Sequence, residues 1–204
     1  PEAERLVPPP RREGGAPAIW IHGASNGELT AARPLIAALA RRLPEASLLI
    51  TTNSRTGRAL ASGWGLARTS VRLAPIDRRR LVRAFLDHLR PSALVMVENE
   101  LWPDRMLECA RRGIPVLVLG GRMSEKSFRF WRRLPGLARP VLGAVRWLAP
   151  QDEGSRARFL ALGLDPAADV AQQAGQQRLV QGLVAGRLRV LLPLVLGPTV
   201  CNWV

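Results

Sequence analysis

Short apolar runs alternate with helix-like patterns along most of the chain. Continuous apolar runs of this length are typical of strands that are buried on both faces of a sheet. The predicted strands are 18–22, 47–52, 70–73, 92–97, 115–119 and 145–149. Between them apolar residues recur at helical spacing, which predicts the following helices. These are 28–43, 55–61, one that Asp77 caps and Pro91 ends, 101–112, one from Ser124 through Trp131 that Pro135 and Pro140 interrupt, and 152–162.

The alternation of strands and helices predicts an α/β fold with a parallel sheet. Right-handed crossovers would place helices on both faces of this sheet. Ligands of such folds bind at the carboxyl ends of the strands, near the point where the strand order reverses. Three loops follow predicted strands at that edge: 23–27, 98–102 and 120–124, the last beginning with a turn at Gly120 and Gly121.

The length of 204 residues allows one or two domains, and 47% hydrophobic with 23% charged residues is ordinary globular composition. Residues 1–16 are rich in Pro and Gly, which predicts an extended lead-in. The strand–helix units end near residue 164, and beyond it five Gln occur within ten residues. We therefore expect a domain over 17–164 and an atypical, poorly specified tail over 165–204, with a helix over 171–184.

The formal net charge is +14, and all but one of the 30 basic residues are Arg. Such a charge favours anionic partners, which include nucleic acid, a phospholipid surface and phosphorylated substrates. The alternative is that the charge is spread over solvated helix faces. Cys109 and Cys201 with two His are too few for a dedicated transition-metal site, so we expect none. No run reaches the ~18 apolar residues of a membrane span.

The first loop places Glu28 in the first turn of a predicted helix. The helix dipole favours an ionised carboxylate there. At the carboxyl end of a buried strand, such a group is a candidate general base. The alternative is a Glu that only stabilises the helix N-terminus. The spacing of Gly23 and Gly27 does not match the dinucleotide fingerprint, so a nicotinamide cofactor has little support.

The second loop contains two carboxylates, Glu98 and Glu100, immediately after an apolar strand. If the strand continued, both would lie on the same side, and a close pair of like charges suits acid–base chemistry. The alternative is a capping cluster in which Asn99 caps the next helix. In the third loop, Arg122 stands between a strand and a helix N-terminus, a combination that suits a phosphate or a carboxylate.

Four segments together resemble the N-terminal domain of bacterial 3-deoxy-D-manno-octulosonic acid (Kdo) transferases. They are WIHGASNGE at 20–28, LLITTNSRTG at 48–57, VENELWPD at 97–104 and GIPVLVLGGRMSEKS at 113–127. These enzymes transfer Kdo from CMP-Kdo to a lipid A precursor. The resemblance implies a Rossmann-like acceptor-binding domain, the N-terminal half of a GT-B glycosyltransferase, and a reaction without metal or cofactor.

The resemblance also implies roles for the residues of the three loops. Glu28 falls on the family's proton acceptor, and Glu98 falls on a carboxylate that stabilises the transition state. We expect a further set of residues to bind substrate. This set is Ser25, Asn26, Gly27, Glu100 and Arg122. Asn26 stands where the family usually has Val, and Asn99 stands where it often has Thr.

The tail departs from the family pattern more strongly than the loops do. No Lys follows Lys126, and the segments of the CMP-binding half are not found. We expect 165–204 to replace the nucleotide-sugar domain and the chain alone to be inactive. The partners implied are a lipid A precursor, CMP-Kdo and an anionic membrane surface, with a peripheral location on the cytoplasmic face of the bacterial inner membrane. The alternatives are a non-catalytic lipid- or phosphate-binding fragment and, last, a basic nucleic-acid-binding protein.

Overall fold

A computed structural model of the chain describes residues 2–12, 15–98 and 101–169. Within these ranges six strands form one parallel sheet in the order β3-β2-β1-β4-β5-β6. The strands are β1 (Ala18–His22), β2 (Ser47–Thr52), β3 (Thr69–Leu73), β4 (Ala93–Val97), β5 (Val116–Gly121) and β6 (Val145–Pro150). This confirms the predicted α/β class and places each predicted strand within two residues of its observed bounds.

Helices connect the strands, as the periodicity predicts. They are α1 (Asn26–Arg42), α2 (Arg55–Ser62), α3 (Arg79–Leu89), α4 (Pro103–Arg111), α5 (Glu125–Arg132), α6 (Pro135–Gly143) and α7 (Glu153–Ala161). Short 3-10 helices occur at Glu2–Arg5 and Pro166–Ala168. In the described part of the chain, no helix is both long enough and apolar enough to cross a bilayer.

The core consists of two apolar layers, one on each face of the sheet. Neighbouring residues of β1 alternate between them: Ile19 and Ile21 pack with α1, whereas Trp20 packs with α3. Trp20 lies against Phe85 of α3 with 4.6 Å between the ring centroids. Because helices cover both faces of the sheet, the loops and their polar groups lie at the ends of the strands.

Two helix boundaries differ from the sequence prediction. Asp77 does not cap α3, whose N-cap residue Arg78 makes no side-chain capping bond. Instead Asp77 accepts hydrogen bonds from the backbone amides of Asp104 (3.0 Å) and Arg105 (2.9 Å), so it caps α4. Trp102, and not Asn99, is the N-cap residue of α4. An acidic side chain near two helix starts can cap either one, and only the tertiary fold decides which.

The structure also differs from the sequence prediction at Pro135, Pro140 and Gly121. Pro135 begins α6, where its missing amide hydrogen has no cost, and Pro140 lies within that helix. Burial of Val141 and Leu142 outweighs the hydrogen bond that Pro140 lacks. Gly121 remains in β5, since its neighbour Gly120 has a φ of +62° and the pairing with β6 shifts register there.

Both predicted flanking segments pack against the sheet domain where they are described. The lead-in contains the 3-10 helix at Glu2–Arg5, and the Arg5 guanidinium donates to the carbonyl of Ala74 (3.1 Å). At the other end, Asp169 is fully buried and pairs with Arg156 of α7 at 2.5 Å. Packing therefore continues past the predicted boundary at 164, and the predicted helix at 171–184 lies outside the described residues.

Candidate functional site

The strand order reverses between β1 and β4. Both neighbours of β1 run parallel to it, with His22 opposite Thr51 of β2 and Met96 of β4. The crossovers on the two sides of this point cover opposite faces of the sheet, and in folds of this kind ligands bind in a crevice at this point. The loop after β1 leads to Glu28, and the loop after β4 begins with Glu98. The fold thus places both predicted carboxylates in loops that follow adjacent strands at the switch point.

Glu28 and Ser25 cap one another at the start of α1. The Ser25 hydroxyl accepts from the Glu28 amide (3.3 Å) and donates to Glu28 Oε1 (3.0 Å). The Ala24 amide donates to Glu28 Oε2 (2.7 Å). This is a variant of the capping box, in which the Glu28 carboxylate accepts from the amide before the N-cap residue and from the N-cap hydroxyl. A carboxylate oxygen has two acceptor sites, so a half-buried carboxylate held in this way can still accept a proton from a hydroxyl in the crevice.

Asn26 joins this loop to the start of α2. Its Oδ1 accepts from the hydroxyls of Ser54 (3.3 Å) and Thr56 (3.1 Å). Ser54 is the N-cap of α2 and accepts from the amide of Gly57. A Cβ on Gly57 would lie 2.7 Å from Thr52 Oγ1 and 2.8 Å from Ser54 Oγ. Gly57 therefore permits the close approach of the two helix starts, and sequence reasoning missed this contact because it joins separate loops.

Glu98 has an unusual backbone conformation. The strand does not continue to Glu98, so the condition under which Glu98 and Glu100 would share one side is not met: β4 ends at Val97, and Glu98 has a φ of +62°. Its amide still donates to the carbonyl of Leu119 (2.7 Å). A non-glycine residue in this left-handed region is uncommon, and Arg68 and Arg90, outside the candidate site, share it with Glu98. Glu100 lies outside the described residues.

The remaining predicted substrate-binding residues are exposed but not all close together. Ser25, Asn26 and Gly27 share the loop of Glu28. Arg122 follows β5, one strand beyond β4. Hydrogen bonds from the Ser155 amide and hydroxyl lower the pKa of Asp152, and the charges of Arg158 and Arg122 contribute less. The Arg122 loop is tied to α7 by the Met123 amide, which donates to the Ser155 hydroxyl (3.0 Å).

Sequence reasoning also missed a buried arginine behind the second loop. Arg105 is 1% exposed and lies between two indole rings, 5.2 Å from the ring centroid of Trp20 and 5.3 Å from that of Trp102. One of its guanidinium nitrogens donates to the carbonyl of Pro75 (3.3 Å). It packs the end of the 98–102 loop against β1. Nothing in the sequence distinguishes this Arg from the exposed ones around it.

Other reactive groups in the described part of the chain do not form a second centre. Burial raises the pKa of the Cys109 thiol to about 12, so this thiol is a packing group. Among the described residues, no cluster of three His, Cys, Asp or Glu side chains could hold a metal ion. The loops that follow β1 and β4, with Glu28 and Glu98, are therefore the candidate site.

Solved structures with a similar fold match the sheet of this chain. The UDP-N-acetylglucosamine 2-epimerase from Rickettsia bellii matches with a TM-score of 0.52 at 14% identity, over 85% of this chain and 50% of that one. The UDP-GlcNAc 2-epimerase from Neisseria meningitidis matches with a TM-score of 0.50 at 10% identity, over 82% and 52%. At these identities the likeness concerns the fold alone. It confirms the Rossmann-like sheet, of the kind that GT-B enzymes contain.

Sequence comparison identifies the family. A 3-deoxy-D-manno-octulosonic acid transferase from Chlamydia pneumoniae is 30% identical over 156 residues, 76% of this chain and 36% of the relative. The enzyme of the same name from Rickettsia felis is 31% identical over 150 residues, 73% and 32%. The chain thus spans about a third of the length of the curated relatives it matches. The family model for 3-deoxy-D-manno-octulosonic-acid transferase matches residues 2–176, and the chain belongs to this family.

Proposed function

We propose that residues 17–164 form the acceptor-binding half of a glycosyltransferase of lipopolysaccharide synthesis, which transfers Kdo from CMP-Kdo to a lipid A precursor. The observation that carries this proposal is the position of two carboxylates. Glu28 and Glu98 belong to the loops that follow the adjacent strands β1 and β4 at the switch point, in a chain of the Kdo transferase family. Removal of a proton from a sugar hydroxyl needs a general base, such as a carboxylate, where the ligand binds.

In the proposed mechanism Glu28 acts as the general base. Its carboxylate takes the proton of an acceptor hydroxyl while that oxygen bonds to the anomeric carbon of Kdo, and the bond from this carbon to the phosphate of CMP breaks. The bonding electrons leave with CMP. The Ala24 amide and the Ser25 hydroxyl fix the orientation of the base. Glu98 stabilises the positive charge that develops on the sugar in the transition state.

The other substrate-binding proposals follow the same geometry. Ser25, Asn26 and Gly27 would contact the substrate through polar side chains or backbone groups of the first loop. Arg122 would supply a cation for a phosphate or a carboxylate of the substrates. We propose that a separate domain binds CMP-Kdo, as the family resemblance implies. We further propose that the enzyme works at the cytoplasmic face of the bacterial inner membrane, where an anionic surface would attract a domain this basic.

The test is a transfer assay with the chain joined to the donor domain of a Kdo transferase, with CMP-Kdo and a lipid A precursor in detergent. We expect Glu28→Gln to reduce turnover about 10²–10⁴-fold, with binding of the precursor retained. Glu45→Gln is the control, because Glu45 is also a carboxylate, exposed rather than half-buried, and precedes β2 at the opposite ends of the strands. Near-normal turnover of Glu28→Gln would remove Glu28 from the role of base.

A further inference from the structure

An open pocket with a volume of about 570 Å³ lies where the lead-in passes the ends of α3 and α4. Arg11 of the lead-in, Arg90 after α3 and Arg112 after α4 line it, together with the apolar side chains of Leu86 and Ile114. Both helices lead back to the starts of the next strands, so the pocket is at the opposite ends of the strands from the candidate site. We call it the arginine pocket.

The cations of the arginine pocket outnumber its carboxylates. Arg11 and Arg90 are exposed, and among the described residues neither forms an ion pair. Asp87 is the single carboxylate among the described residues that line the pocket, and its Oδ1 already accepts from Arg112 at 2.9 Å. Three positive charges therefore face one negative charge, and an anion in the pocket would balance them.

Existing bonds hold Arg112 in place at the wall of the pocket. Its Nη2 donates to Asp87, and its Nη1 donates to the buried carboxylate of Glu108 at 2.5 Å. Three further guanidinium groups pair with that carboxylate, those of Arg79, Arg83 and Arg111. One carboxylate cannot neutralise four guanidinium groups, so the positive charge extends from the pocket along the groove between α3 and α4. Because Arg112 is already fixed, it would lose little conformational entropy when a ligand binds.

The lead-in is also held at the pocket, on both sides of Arg11. The Arg12 amide donates to the carbonyl of His88 (3.1 Å), and His88 Nδ1 lies 3.0 Å from the carbonyl oxygen of Pro9. These contacts fix the backbone of Arg11 beside the end of α3. The three cations of the pocket therefore come from three different segments of the chain, which the fold brings together.

We propose that the arginine pocket binds a soluble organic phosphate. A phosphate group has up to two negative charges and three acceptor oxygens, so it can accept from guanidinium groups that approach from different segments. A carboxylate has only two oxygens and matches one guanidinium fork better than three. Leu86 and Ile114 would contact the organic part of the ligand.

The surroundings of the pocket favour a soluble ligand over a lipid headgroup. The large apolar side chains that are exposed in the described part of the chain are Leu6, Val7, Leu60, Phe130 and Leu134. None of them lines the pocket, so its rim has no apolar side chain that would enter a bilayer. The proposal is independent of the proposed function, because the pocket and the candidate site lie at opposite ends of the strands.

The test is isothermal titration calorimetry of the full chain with phenyl phosphate, and with phenol as its uncharged counterpart, at constant ionic strength. The variant carries Arg11→Gln and Arg90→Gln. The matched control carries Arg41→Gln and Arg42→Gln, which remove the same charge from two exposed residues in the last turn of α1. This control also matches the favourable interaction of a cation with a helix C-terminus, which Arg90 makes at the end of α3. Circular dichroism verifies that both variants fold.

We expect the parent chain to bind phenyl phosphate but not phenol, and the Arg11 and Arg90 variant to bind phenyl phosphate about tenfold more weakly or worse. The control variant should bind nearly as the parent chain does. Equal weakening in both variants, or no saturable binding by the parent chain, would overturn the proposal. Co-sedimentation with vesicles that contain phosphatidic acid, without binding of phenyl phosphate, would also overturn it, in favour of a lipid headgroup. The transfer assay tests Glu28 separately, so the two proposals can fail independently.

Discussion

The side chains of Ser25 and Glu28 satisfy each other across the first turn of α1, with the Ser25 hydroxyl 3.0 Å from Glu28 Oε1 and 3.3 Å from the Glu28 amide. Ser25→Ala removes both bonds, and we expect it to lower the free energy of unfolding by about 1 kcal/mol. Glu28→Gln keeps an acceptor for the Ala24 amide or the Ser25 hydroxyl and should cost less stability. Urea denaturation of both variants checks the order. If Glu28→Gln lowered the free energy of unfolding more than Ser25→Ala does, the main role of the Glu28 carboxylate would be to stabilise the fold.

Gly57 sets the distance between the starts of α1 and α2. Gly57→Ala would place a Cβ 2.7 Å from Thr52 Oγ1 and 3.1 Å from Asn26 Oδ1, so we expect a loss of about 1–3 kcal/mol in unfolding free energy. Gly63→Ala is the control, because Gly63 has a φ of −75° and its nearest neighbour would be at 3.5 Å. That substitution should be neutral or slightly stabilising. Thermal or urea denaturation measures both, and similar stabilities of the two variants would contradict the tight contact.

The positive φ of Glu98 predicts an unusual response to truncation. Both Glu98→Gly and Glu98→Ala remove the carboxylate, but only Glu98→Gly also releases the strain of the left-handed conformation. We therefore expect the Gly variant to be more stable than the Ala variant by about 1 kcal/mol. Both should lose transfer activity if Glu98 stabilises the transition state. Equal stability in urea denaturation would mean that the loop relaxes without strain.

Glu108 gives the pH dependence of stability a definite sign. Its side chain is 1% exposed, and its carboxylate lies 2.9 Å from Arg79, 2.8 Å from Arg111 and 2.5 Å from Arg112. Burial alone would raise the pKa of Glu108, but hydrogen bonds from Arg112 and Arg79, with the charges of Arg83 and Arg111, lower it below the ordinary 4.5. The contribution of Glu108 is therefore present above that value and is lost as the pH falls through the lower folded-state pKa.

Glu108→Gln is the variant that tests this contribution. Near pH 7 we expect Glu108→Gln to lower the free energy of unfolding by about 2 kcal/mol. The neutral Gln amide would then lie among several guanidinium groups without a negative charge to pair with them. In more acidic solution, below the ordinary carboxyl pKa, the difference should shrink. Urea titrations at the two pH values make the comparison, with Glu45→Gln as an exposed control. A difference that stayed constant or grew in acid would contradict the ion-pair cluster.

The strands could be predicted because each buried strand is a self-contained apolar run. β1 and β2 match the sequence prediction at both ends, since their burial on two faces favours the apolar runs 18–21 and 48–50 at their centres. Asp77 and Pro135 were misjudged because each has two local solutions, and packing between distant segments selects one. Local chemistry determines that a cap or a helix start is possible, whereas tertiary structure determines which helix receives it.

For the site, the sequence indicates the loops but not their internal contacts. Glu28 could be predicted as a candidate because a strand, a Gly-containing turn and a helix start precede it, and all three are local sequence signals. The bond from Asn26 to Ser54 and the indole pair around Arg105 join segments that are remote in sequence, so no spacing rule reveals them. The left-handed Glu98 is likewise invisible, because glutamate is not a residue type that predicts a positive φ.

The pairing of Ile19 with Ala93 has a kinetic consequence. β4 can join β1 only after the chain has passed through β2, β3 and the three helices between them, so this contact closes a long loop. Contacts of this kind slow folding, because the entropy of closure is lost before the new strand pairing compensates for it. The two sides of the crevice therefore meet only when that loop closes. A nascent or partly folded chain would have β1 and its loop but not the loop after β4 beside it. Substrate would therefore be recognised only by molecules in which the sheet is complete.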